Sequence, residues 1–271
     1  GPFAQVVPGR LLSFPRDHAA HPEFRTEWWY LTGIVDAERS RYGFQVTFFR
    51  AATGLYSESQ SRLAPRQLVM AHVAVTDFAA GRIVHRDRIA RAVLGLAGAA
   101  TDRCEVWLDD WRLRLAGDAY VASIHAPELV LDLTCEARAA PLLQGDAGYS
   151  RKGPAAEQAS YYYSRPRIAI EGTLARGSDR RSVRGQAWLD HEWSSEYLAG
   201  AAQGWDWVGL TLEDGTDVMA FRMRTATGAT YWAGGTVRDK SGARTLAPQA
   251  VRFTPIREWR SPRSDARYPV A

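Results

Sequence analysis

The sequence predicts an antiparallel all-β protein of ten or more strands. Three observations carry that expectation. Apolar residues recur at every second position, short polar turns separate these runs, and helical periodicity is scarce. Strict alternation is what a strand with one face in a core and one toward water requires. So many strands close into barrels or stack as sandwiches, because a flat sheet would leave long unpaired edges.

Along the chain, TEWWYLTG (26–33) comes first, with Glu27 and Trp29 on one face and Trp28 and Tyr30 on the other. AHVAVTDF sets His72, Ala74 and Thr76 on one face of an apolar run. DWRLRLAG alternates Trp111, Leu113 and Leu115 with Arg112 and Arg114. ELVLDLTCEAR turns Leu129, Leu131, Leu133 and Cys135 one way, and RPRIAIEGTL does the same with Ile168, Ile170 and Leu174. VGLTLEDG alternates Val208, Leu210 and Leu212 with Gly209, Thr211 and Glu213. DAERSRYG, ARGSDRRS, EDGTD and RDKSGAR are the hairpin loops between such runs. Residues 140–160 have no clean period and are long for a connection, so they are either disordered or functional. A small-residue stretch, LAGAAQG, divides the chain into residues 1–200 and 201–271. The second part holds too few strands to close an eight-stranded barrel.

The 271 residues are 46% apolar and 24% charged, as in ordinary globular proteins. Ten Trp, eleven Tyr and nine Phe call for a deep core or a wide apolar cavity. The net charge of +4 comes from scattered arginines, with no run that would grip phosphates, so no nucleic-acid partner is expected. No stretch approaches the ~20 apolar residues of a membrane helix. The chain starts without Met, as it would had a targeting segment been removed. Cys104 and Cys135 fit no metal spacing, which leaves a disulfide or two buried thiols. No nucleophile elbow, Walker or dinucleotide glycine pattern occurs, which argues against an α/β-hydrolase and a nucleotide enzyme.

Polar chemistry concentrates in LDHEWSSEYL (189–198). In an extended strand Trp188, Asp190 and Glu192 share one face, and Leu189, His191 and Trp193 the other. Asp190 and His191 are candidates for acid and base work, because His titrates near neutrality. Glu27, on an aromatic face, would be desolvated and its pKa raised, which makes it a second candidate acid. The plainer alternatives are a structural histidine and a carboxylate at the wet end of an aromatic strand. A zinc site would need His191 to recruit His72 or His125, and H-E-x-x-H is absent, so no metal is expected. In QGWDWVGL, Trp205 and Trp207 project together as a core or ligand wall, with Asp206 opposite and a candidate to orient His191. In SYYYSRPR, Tyr161 and Tyr163 share a face that either packs or offers hydroxyls to a ligand, and Tyr162 points away.

Together, HPEFRTEWWYLTG, AHVAVTDF, KGPAAEQASYYYSRPRIAIEGTL and GQAWLDHEWSSEYL resemble the AttH / carotenoid 1,2-hydratase-like family, over about residues 14–235. The resemblance implies tandem lipocalin-like β-barrels, the first in residues 1–200 and the second beginning at 201 and incomplete here. The family includes hydratases that add water across an isoprenoid double bond, relatives that catalyse cyclisations, and a secreted or lipoprotein branch of predicted hydrolases. The chain is more similar to the secreted branch, which implies a periplasmic or secreted location. Positions carried over from the motifs are Glu27, Trp28, Trp29, Tyr30, His72, Asp190, His191, Glu192 and Trp193, with Asp206 in GWDW. Three readings follow, the weakest a metallohydrolase that uses His191 and a carboxylate; the other two are these. One is a cofactor-independent hydratase or lyase acting on an apolar isoprenoid or lipid-like ligand in a barrel cavity. There Asp190 or Glu27 is the acid, His191 the base, and Trp29 and Trp193 the walls. The other is a non-catalytic binding protein of the cell envelope, for a lipid or another hydrophobic ligand, that serves a membrane transporter or a lipoprotein system. Neither needs a metal or an organic cofactor, and the oligomeric state is left open.

Overall fold

The computed structural model describes residues 3–55, 59–61, 63–198 and 200–270. Its first thirteen strands are β1 (Thr26–Ala37), β2 (Ser40–Ala52), β3 (Gln67–Asp77), β4 (Arg82–Arg91), β5 (Ala97–Ala99), β6 (Glu105–Leu108), β7 (Trp111–Ala116), β8 (Ala119–Ala126), β9 (Leu129–Glu136), β10 (Leu142–Leu143), β11 (Tyr149–Arg151), β12 (Ala159–Arg176) and β13 (Asp179–Ser194). They form one antiparallel sheet in the order β4-β3-β2-β1-β13-β12-β9-β8-β7-β6-β5, with β10 and β11 pairing along β12. The sheet curls until its ends face each other. Arg88 of β4 lies over the Trp111 ring at 4.4 Å, and Arg86 pairs with Glu128. The result is a nearly closed barrel. The helical content among the described residues is two short 3-10 turns, Arg16–His18 and Pro248–Ala250.

The alternation read from the sequence is the packing of this barrel. Leu129, Leu131, Leu133 and Cys135 of β9 point inward, as do Ile168, Ile170 and Leu174 of β12. Facing them are Leu31 and Val35 of β1 and Val46 and Phe48 of β2. Each such burial contributes roughly 1.5–3 kcal/mol. Cys104 and Cys135 are free thiols, and burial pushes both up to about 12. The interior is thus packed with side chains, and Trp29, Trp111, Tyr120 and Phe48 take up much of it. These side chains fill the interior where a wide cavity was expected. The barrel's end is also covered. The segment before β1 lays Val6, Phe14 and Phe24 against Tyr161, Tyr163 and Trp193, and the Val7 N–H donates to the Tyr161 hydroxyl at 2.9 Å.

A second sheet holds β14 (Gly204–Thr211), β15 (Asp217–Arg224), β16 (Thr230–Asp239) and β17 (Gly242–Leu246) in that order. A separate hairpin pairs β18 (Arg257–Arg260) with β19 (Arg267–Val270). The second sheet seats on the outside of the barrel, where Met219, Phe221 and Met223 pack against Tyr162 and Trp188. A bulge in β12 helps to hold it there. Pro166, which cannot donate a ladder hydrogen bond, lies in the register break between Arg165 and Ile168. Arg167 takes a positive φ of 56° and reaches Asp217 at 2.8 Å. Arg238 holds the same carboxylate at 2.9 Å. Leu210 and Leu212, expected on a buried face, are 44% and 43% exposed, because no further layer covers that side of β14 among the described residues. Residues 140–160 are ordered along β12, and they bring Lys152 to the seam between barrel and second sheet.

Candidate active site

β13 runs between β1 and β12. Asp190 pairs across with Tyr30 and Ser164, His191 with Trp29 and Tyr163, and Glu192 with Trp28 and Tyr162. Period-2 geometry then splits the acid, base and acid of DHE between two faces. Asp190 and Glu192 point outward, toward the second sheet. His191 and Trp193 point inward.

The outward face floors a cavity of about 340 Å³ between barrel and second sheet. This is at the low end of the ~300–1,000 Å³ of small-molecule sites. Trp28, Tyr30 and His72 come from the barrel, and Trp205, Trp207 and Phe221 close it from the second sheet. Asp190 is buried at its floor. Its carboxylate accepts from Ser164 Oγ at 2.5 Å, Trp188 Nε1 at 2.6 Å and Tyr162 Oη at 2.8 Å. Tyr162 Oη in turn accepts from Trp207 Nε1 at 3.0 Å, which ties the acid to the second sheet. Burial pushes the Asp190 pKa up to about 7, and its three hydrogen bonds pull only partly the other way. Glu192 beside it accepts from Ser160 and pairs with the buried Lys152 at 2.9 Å.

The inward face carries a different system. Glu27 is fully buried, yet its carboxyl lies well below the usual carboxylate range. Burial alone would raise it, but hydrogen bonds from His191 and His21 outweigh that effect. Glu27 Oε1 accepts from His21 Nδ1 at 2.7 Å and from His191 Nε2 at 2.8 Å. Its Oε2 accepts from the His21 backbone N–H at 2.8 Å and from Arg50 Nε at 3.1 Å. The other His21 nitrogen faces Asp17 Oδ1 at 2.9 Å. With a carboxylate at each nitrogen, His21 is an imidazolium, in line with its raised pKa. It stacks on the Trp193 indole at 3.7 Å. His191 donates from Nε2, so its Nδ1 accepts from the Tyr163 hydroxyl at 3.0 Å. The Tyr163 oxygen then accepts from His18 Nδ1 at 2.7 Å. Burial, together with the Arg165 charge, lowers His18 to about 3, so it is neutral. Asp17 and Glu27 offset His21 and Arg50, and Arg10 reaches Asp17 from the rim at 3.2 Å. The Trp29 and Trp193 indole N–H groups beside the network have no acceptor among the described residues.

The expected site residues therefore divide. Trp28, Tyr30, His72, Asp190, Glu192, Trp205 and Trp207 line the cavity. Glu27, Trp29, Tyr161, Tyr163, His191 and Trp193 are buried on the other face and do not line it. The raised pKa expected of Glu27 is reversed by its charged partners. Among the tyrosines, Tyr162, set aside in the sequence, is the one that meets the acid. Asp206 does not orient His191. It pairs with Arg222 at 2.5 Å and Arg224 at 3.1 Å. Asp17, His18, His21, Arg50 and Lys152 were not singled out. The cluster in RDHAAHPEF, which holds two of the six histidines, was the available signal for the first three.

His21, Glu27 and His191 also form a set that could hold a metal, their ligand atoms lying within 4.8 Å of one another. Two contacts are against it as arranged. The N···O distances of 2.7 and 2.8 Å are hydrogen bonds, whereas ligand atoms each ~2.0–2.2 Å from a tetrahedral ion stand more than about 3 Å apart. The Arg50 guanidinium on the same carboxylate adds positive charge where a cation would sit.

A near-closed antiparallel barrel with a second sheet seated on its outer wall, and a buried acid in the seam, defines the class of protein. Residues 5–271 match the AttH-like family, and the chain belongs to it. The crystal structure of an AttH protein of Nitrosomonas europaea is similar over 99% of this chain and 82% of that one, at 44% identity and a TM-score of 0.91. Kievitone hydratase of Nectria haematococca shares the fold at 12% identity and a TM-score of 0.71, over 99% of this chain and 78% of that one. CghA, in a structure with Sch210972, shares it at 15% identity and a TM-score of 0.52, over 89% and 64%. No curated protein matches the chain in sequence.

Proposed function

We propose that the protein is a cofactor-independent acid/base enzyme of the hydratase or lyase type. Its substrate is an apolar isoprenoid or lipid-like molecule held in the seam between barrel and second sheet. The observation that carries this reading is Asp190, a buried carboxyl with a pKa near 7 on the floor of an aromatic-walled cavity. An acid so poised has a proton to give at neutral pH. Asp190 transfers it to one carbon of an alkene, and the second carbon becomes cationic. The faces of Trp28, Trp205 and Trp207 stabilise that cation, as aromatic rings do a desolvated positive charge. Water then bonds to the cationic carbon and returns a proton to Asp190, so the acid is regenerated and the net change is addition of one water. His191 faces away from the cavity, so the base role expected of it passes to the Asp190 carboxylate. The name of kievitone hydratase, which shares the fold, supports the reaction class. We also read β14–β17 as part of a second lipocalin-like barrel, which gives the exposed Leu210 and Leu212 a core to face.

The test is incubation with a panel of prenylated and terpenoid alkenes in heavy-oxygen water, read by mass spectrometry. The parent protein is expected to incorporate label into product. Asp190→Asn is expected to lose turnover by about 10²–10⁴-fold while binding, read by tryptophan quenching, survives. Unlabelled ligand that binds tightly to both proteins would instead make the chain a carrier.

A further inference from the structure

The cavity holds an ion pair, Lys152 with Glu192, that the proton transfer above does not use. Lys152 is 6% exposed and reaches the cavity from the ordered segment ahead of β12. Its ammonium donates to Glu192 at 2.9 Å and to Ser150 Oγ at 3.0 Å. It also lies 4.1 Å from the Phe221 ring centre and 4.8 Å from that of Tyr162. An ammonium has three N–H donors. The two acceptors account for two of them, and the third has only ring faces near it among the described residues. Tyr162 links this group to the acid, since its hydroxyl meets Asp190 while its ring faces Lys152. The anchor and the acid thus sit about one phenol ring apart. The charges close as well. Lys152 and Glu192 cancel, and Asp190 is neutral when it holds its proton. A ligand carboxylate would meet Glu192 and leave the cavity with net charge, whereas a neutral oxygen would not. The sequence holds two lysines, Lys152 and Lys240, among its 34 Lys and Arg, so a compact ammonium stands here in a chain that mostly uses guanidinium.

We propose that Lys152 is an oxygen anchor, and that the ligand is an apolar molecule bearing a neutral hydroxyl or carbonyl oxygen, set so that a nearby carbon falls over Asp190. The proposal rests on the reading of the seam as the substrate site, but it is tested by binding alone. Farnesol, farnesene and farnesoic acid share one chain and differ in carrying an alcohol, no oxygen and a carboxylate. Quenching of cavity tryptophans is expected to show farnesol bound about tenfold tighter than either other probe, the lower end of a hydrogen bond to a charged donor. Lys152→Met should erase the margin over farnesene. Because that change leaves Glu192 without its partner, Lys152→Met/Glu192→Gln, which removes both charges, serves as the second variant. Asp190→Asn should keep the margin, which separates failure of the anchor from failure of the acid. Equal binding of farnesol and farnesene by the parent, tightest binding of farnesoic acid, or a margin that persists in both Lys152 variants would each overturn the anchor.

Discussion

Glu27 and Asp190 are both buried carboxyls, attached to neighbouring strands and pointing to opposite faces of one sheet. Their ionisation goes opposite ways. Glu27 takes four donors, two of them the charged side chains of His21 and Arg50, and stays ionised. Asp190 takes three donors, all neutral, and holds its proton to about pH 7. Burial sets the size of the penalty for a charge, but the charge of the donors decides whether the penalty is met. One face of β13 is a closed ion network, and the other keeps an acid ready to react.

The contrast can be broken most forcefully at Glu27. Glu27→Gln leaves the Arg50 and His21 charges without their shared carboxylate, and urea unfolding is expected to show a loss of about 3–5 kcal/mol. A loss below about 1 kcal/mol would show that the network does not hold the barrel end.

The next largest effect is in pH dependence, where the two acids have opposite signs. Native Asp190 keeps a proton from about pH 4 to about pH 7 that the unfolded chain has released, so its contribution to stability falls as pH rises through that window. Asp190→Asn lacks this dependence, so it should gain on the parent by about 1.4 kcal/mol per pH unit there and level off above pH 7. Glu27, with its pKa lowered, contributes stability that is present above pH 4.5 and lost as pH falls below it. Turnover by the parent should decline above about pH 7, as the Asp190 proton is lost.

His191→Gln sharpens the same comparison. It should cost about 1–3 kcal/mol through its broken bonds to Glu27 and Tyr163, while turnover per folded molecule stays within a few-fold of the parent. A complete loss of turnover with folding intact would return His191 to the chemistry. The smallest effect on stability belongs to Trp205, which is 47% exposed on the cavity wall. Trp205→Ala should change unfolding by no more than about 0.5 kcal/mol and weaken farnesol binding several-fold.

The sequence made the alternation legible, and with it β1, β3, β7, β9, β12 and β13 of the barrel and the split of Asp190 from His191. It could not tell which face of that alternation met a cavity. That depends on the second sheet covering the outside of the barrel, through contacts such as Trp207 with Tyr162, 45 residues apart. The same gap explains the choice of Tyr161 and Tyr163 over Tyr162. Parity identified the pair and the odd one out, but not which side was wet. The state of Glu27 is not legible in its own strand, because Arg50 and His21, which decide its charge, reach it from β2 and from the segment ahead of β1. Nothing in the sequence marks Lys152, because its segment lacks a period and its burial follows from pairing along β12.

β1 and β13 are the first and last strands of the barrel, and Glu27 meets His191 across 164 residues. Contacts so remote along the chain are slow to form, because the intervening loop must close before anything rewards it. A chain still being synthesised therefore carries neither the ion network nor the seated acid until β13 has emerged. The greasy strands made earlier wait through that interval without their final neighbour, which exposes the growing chain to aggregation.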